Sequence, residues 1–154
     1  MNWDGESDDE REVFGPIDAG ALREIRDLVV ELEPLVAHAA VDDPVNPQTL
    51  SIEFSDGIGD ATTARFDVRW SVTGHYAFHH TDDAKQNFRF DRHPKPDAPT
   101  RHVHPPPDAP SRPVEQSCIS VTEIALVTRA VLQRWRDAYD RGAFHRLNEA
   151  KDPT

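Results

Sequence analysis

The chain of 154 residues has a single cysteine, Cys118, and only three lysines among its 17 cationic side chains. One cysteine excludes an internal disulfide and any zinc site built on several thiolates. Cys118 follows Val114-Glu115-Gln116-Ser117, with no histidine beside it in the sequence. It reads as a small packed hydrophobe, not as a nucleophile, which would need such a neighbour. Long apolar runs are missing too. None approaches the roughly 20 residues that span a bilayer, and the acidic opening from Met1 to Glu10 is the reverse of a signal peptide. The expected location is the cytoplasm, with no membrane contact. Apolar residues make up 37%, enough for one domain with one modest core.

Acid is abundant. Asp and Glu total 28 against 17 Lys and Arg, for a net charge of −11, and Asp outnumbers Glu 18 to 10. Acid-rich, lysine-poor surfaces suit proteins that stay soluble at molar salt, so the composition reads as that of a halophile. At such salt the Debye length is about 3 Å. Global charge then no longer selects partners, and an acidic total does not exclude a nucleic acid. The charge is also uneven. Residues 61–112 form the only net-positive stretch, at +2, and hold six of the eight histidines.

Residues 1–12 are acidic and nearly free of apolar side chains, which predicts a disordered tail that includes Trp3. A single domain is expected over 13–147, with a second disordered tail over 148–154. From Ile17, apolar residues recur at helical steps through Ala21, Ile25, Leu28, Leu32 and Leu35. Asp18 is the expected N-cap and Pro34 the kink or stop. The stretch Asp42 to Pro47 has loop chemistry.

The period then becomes two. Leu50, Ile52 and Phe54 alternate with polar residues, as do Phe66, Val68, Trp70 and Val72, then Tyr76, Phe78 and His80, then Phe88 and Phe90. This predicts an antiparallel sheet of three or four strands. Residues 94–113 hold eight of the 13 prolines and predict an extended loop. Ser120 and Glu123 have capping-box spacing. Ile124, Val127, Val131, Trp135 and Ala138 predict a second helix, and Gly142 ends it. The expected fold is α+β, with both helices on one face of the sheet and the even-numbered strand residues beneath them. The odd-numbered ones (Arg65, Asp67, Arg69, His75, His79, Arg89 and Asp91) then line an exposed polar face.

Arg89 to His104 concentrates the chemistry. Three histidines (His93, His102, His104), Asp91, Arg89, Arg92, Lys95 and Arg101 share sixteen residues. Histidine takes and gives protons near neutrality, and the arginine fork matches phosphate oxygens. This set supplies a base, an acid and cations for cleaving a phosphodiester, with His93, His102, His104 and Asp91 as the catalytic candidates. Arg89, Arg65, Arg69, His75, His79 and Arg101 are the candidates for binding substrate. A metal site is the second chemistry open to it, since His102-x-His104 puts two imidazoles on one side of an extended chain and His93, His79 or Asp91 completes a shell. No recognised zinc spacing is present, so no metal or other cofactor is assigned. A non-catalytic module that docks a protein on its polar face is the third reading. His80 has core parity, and His38 and His145 are expected at the surface.

Tyr76-Ala77-Phe78-His79-His80, Phe88-Arg89-Phe90-Asp91-Arg92-His93-Pro94 and His102-Val103-His104 together resemble the TumE-type toxins of two-gene toxin–antitoxin modules. There an aromatic-rich strand leads into Arg-aromatic-Asp-Asn and a His-rich segment. Arg92 stands where that pattern has Asn. The resemblance implies a toxin that acts on RNA and is held by a cognate antitoxin, which often carries a helix-turn-helix. It carries over Arg89, Asp91, His93, His102 and His104 as site residues. Self-association stays open, with a homodimer as the simplest form.

Overall fold

The computed structural model describes residues 14–149. The expected tail over 1–12 and most of the one over 148–154 lie outside that range, as does Trp3. The helix α1 (Ala19–Leu32) starts where its cap predicts. Asp18 accepts a hydrogen bond from the Ala21 N–H at 3.0 Å, which satisfies one of the free donors of the first turn. Its apolar face buries Ala21, Leu22, Ile25 and Val29. The helix stops at Leu32, and Pro34 prevents its continuation.

The described residues then form seven antiparallel strands, not three or four. They are β1 (Val36–Val41), β2 (Leu50–Phe54), β3 (Ala64–Trp70), β4 (Tyr76–Asp82), β5 (Phe88–Arg92), β6 (Arg101–His104) and β7 (Glu115–Gln116). Each pairs with the next in a meander. β1 carries no strict alternation of apolar and polar residues, so periodicity cannot reveal it. β6 and β7 lie within or just after the proline-rich stretch that predicts a loop. β7 is the edge strand and β6 lies between it and β5. The prolines flank both strands and fall in neither, so no ladder donor is lost.

The even-numbered residues face the core as expected. Ile52, Phe66, Val68, Phe78, Phe88 and Phe90 are all buried, and Val103 of β6 joins them. Val72 departs from the series. β3 ends at Trp70, so Val72 falls in a turn and is exposed while Ser71 is buried. The second helix, α2 (Ile124–Arg141), buries Val127, Val131, Trp135 and Ala138 on the same side of the sheet as α1. It starts without the expected capping box. Glu123 is the cap residue and makes no side-chain capping bond. Gly142 ends it in the left-handed region, φ 69°, where a residue without a Cβ is favoured. Arg136 of α2 holds Glu33 at the end of α1 through two hydrogen bonds, tying the helices together.

Candidate functional site

The helix-free face is less open than alternation alone predicts. Cross-strand register places Asp67 opposite His79, His79 opposite Arg89, and Arg89 opposite His104. The next row puts Ala77 opposite Asp91, and Asp91 opposite His102. All of these side chains project to one side. Yet Asp67, Asp91, His93, His102 and His104 are buried, and Asp91 and His102 show no accessible surface at all. The cover comes from the proline-rich segment, which folds back over the strand ends. The His93 N–H donates to Thr100 O at 2.9 Å and closes that loop.

Prolines orient the three histidines. The Nδ1–H groups of His93, His102 and His104 donate to the carbonyls of Pro94, Pro99 and Pro110 at 3.0, 2.8 and 2.7 Å. A carbonyl can only accept, so Nδ1 carries the proton in each ring. All three Nε2 atoms therefore turn inward, toward one atom. They lie 3.2, 3.4 and 3.0 Å from Asp91 Oδ2 for His93, His102 and His104. Neighbouring rings stand edge to face with centroids 5.0 Å apart. Arg89 closes the set. Its Nε donates to Asp91 Oδ2 at 2.9 Å, and its Nη2 lies 2.9 Å from His104 Nε2.

The electrostatics follow from this geometry. Burial works against the charge on Asp91, but Arg89 and the three imidazoles outweigh it and hold the carboxyl well below its ordinary value. At His93, burial disfavours the imidazolium, and the hydrogen bond and charge of Asp91 reverse that and raise its pKa. His79 goes the other way. Burial, and then the positive charge of Arg89, lower it to about 4. It is a neutral imidazole at pH 7, and it keeps partial exposure between Asp67 and Arg89 in the row.

The other expected site residues are spread more widely. Arg65 has a half-exposed side chain that pairs with Asp67 at 3.1 Å. Arg69 lies over the ring of Phe14 at 4.4 Å, and His75 donates from Nδ1 to Phe14 O at 3.1 Å. Phe14 also meets the His93 ring at 6.0 Å, so it forms one wall of the cluster. By strand alternation Arg101 faces away from His102 and His104, and it pairs with Arg92. The structure thus joins Asp91, Arg89, His93, His102 and His104, sets His79 beside them, and leaves Arg101 outside. Phe14 and the three proline carbonyls are the parts that residue chemistry did not reveal. The spacings His93-Pro94 and Pro99-x-x-His102 are their only trace in the sequence. His80 is buried in the core, and His38 and His145 are exposed, all as expected.

Among the described residues, no helix is long and apolar enough to cross a membrane. A family model described as Toxin TumE matches residues 25–139, most of the chain and all of the cluster. No curated protein and no solved structure matches.

Proposed function

The chain belongs to the TumE toxin family, and from that premise we propose that it is a toxin that cleaves RNA by His/Arg acid–base chemistry on the helix-free face of its sheet. As a toxin of a toxin–antitoxin module it has an antitoxin partner. That the partner carries a helix-turn-helix, and that the pair works in the cytoplasm, are parts of the same proposal.

One observation carries the reading. A neutral, partly exposed imidazole, His79, stands in one cross-strand row beside Arg89, with the half-exposed Arg65 on the neighbouring strand. His79 is the general base in this reading. It takes the proton of a ribose 2′-hydroxyl, and the oxygen attacks the adjacent phosphorus. Arg65 and Arg89 neutralise the charge that develops on the phosphate oxygens. The 5′ oxygen leaves with a proton from solvent.

His93, His102, His104 and Asp91 take a different part in this scheme than residue chemistry alone gave them. Their side chains are at most 6% exposed, so they reach no substrate. They are positioning residues that hold Arg89 in place from below. Arg69 and His75 extend the basic surface toward Phe14. The test is RNA cleavage in dilute buffer and in molar KCl. Wild type should cleave, and His79→Ala should be at least 100-fold slower, since a general base contributes about 10²–10⁴-fold. Absence of cleavage in wild type in both buffers refutes the reading and favours a toxin that acts by binding alone. Undiminished cleavage in His79→Ala removes His79 from the base role.

A further inference from the structure

The buried cluster has more lone pairs than donors. With Nδ1 protonated, each imidazole in its neutral form turns the lone pair of Nε2 inward. Three such nitrogens and a carboxylate oxygen then face one point. The Arg89 guanidinium sends N–H groups into that space, to Asp91 and His104. His102 Nε2 and Asp91 Oδ1 are fully buried and find no hydrogen-bond partner among the described residues. A buried polar atom left in this way is costly, and two of them in one cluster call for a cation.

We propose that Asp91, His102 and His104 form a binding site for a divalent transition-metal ion of the zinc type, with His93 as the fourth ligand. The distances support it. Ligands about 2.1 Å from a tetrahedral ion stand about 3.4 Å from one another. The three Nε2 atoms lie 3.0–3.4 Å from Asp91 Oδ2. The ligand atoms of Asp91, His102 and His104 all lie within 4.8 Å of each other. The outer contacts have the form such sites take, because each ring donates its other N–H to a fixed backbone carbonyl and so cannot turn away. Three nitrogens and one oxygen suit zinc, nickel or cobalt, and not magnesium or calcium, which need oxygen.

Arg89 is the competitor. Its guanidinium occupies the mouth of the site and serves as the counter-cation when no metal is bound. Its side chain is 12% exposed, so it has a way out toward the open face. Metal entry displaces it, and the proton on His93 Nε2 leaves to solvent as that ring becomes a ligand. The site does not depend on the RNA reading, since binding is measured with the bare ion and no substrate.

The experiment starts from wild-type protein stripped with a chelator and titrated with Co²⁺ and Zn²⁺. Calorimetry and the visible ligand-field absorption of cobalt should show saturation at one ion per chain. His102→Ala should weaken binding at least tenfold. Arg89→Ala should tighten it at least tenfold, a result that a merely structural cluster would not give. Nitrogen NMR of histidine-labelled wild type needs no substitution. Zn²⁺ should shift Nε2 of His102 and His104 and leave the exposed His38 and His145 unmoved. No saturable binding to wild type overturns the proposal. So does binding undiminished in His102→Ala, or Nε2 signals that Zn²⁺ leaves in place.

Discussion

Asp91 and His80 show how one kind of surrounding, a buried one, is handled in opposite ways at the scale of the residue. Asp91 is buried with a full charge and depends on Arg89 to offset it. Removing one member of a buried ion pair leaves the other uncompensated, at a cost of about 3–5 kcal/mol. Arg89→Ala in metal-free protein should therefore lose about that much stability in urea. Arg65→Ala, whose side chain is 49% exposed, should lose no more than about 1 kcal/mol. Equal losses would contradict the account. His80 is buried as a neutral ring stacked on Phe88 at 4.4 Å, with Nδ1–H donating to Gln86 O. Burial lowers its pKa to about 3. Below the ordinary value near 6.5 the unfolded chain takes up a proton that the folded chain refuses. Stability is therefore complete above about pH 6.5 and falls as pH drops toward 3, by up to about 1.4 kcal/mol per unit for this group. His80→Phe should flatten the fall in urea midpoint between pH 7 and pH 4. An unchanged fall would assign it to other groups. His80 was legible in the sequence through its even parity. The burial of Asp91 was not, because alternation says which face a side chain takes and nothing about what lies over that face.

The same limit recurs at the scale of the element. Both helices and strands β2 to β5 could be read from periodicity, since each has one wet and one dry face. β1 carries little such contrast, and β6 is four residues long amid prolines. Its existence is decided by pairing with β5, a non-local event that no local pattern encodes. Pairing is what makes the site, because it sets His102 opposite Asp91 and His104 opposite Arg89. Val103 lies between those histidines and points into the core at 1% exposure. If β6 is an integral strand, Val103→Ala should cost about 1–3 kcal/mol, the loss expected for buried methyl groups. A loose loop at 101–104 would lose almost nothing. Urea unfolding decides between the two.

The sheet as a whole separates two tasks. One face is dry and packed under α1 and α2, and it supplies stability. The other carries arginine, histidine and aspartate, with a buried cluster at one end and His79 and Arg65 near solvent. This division follows from a meander whose strands alternate in step, so a single parity error would mix core and site. The acidic total of −11 is no obstacle to RNA where salt screens it, because a local pair of arginines at contact distance acts within the screening length. The most direct test of this account is to offer the purified toxin matched oligonucleotides, one all ribose and one with 2′-O-methyl at every position, and to identify the ends produced. An attack by the 2′-oxygen predicts cleavage of the first only, with 2′,3′-cyclic phosphate ends that are lost in His79→Ala. Cleavage of both oligonucleotides, or of neither, would contradict it.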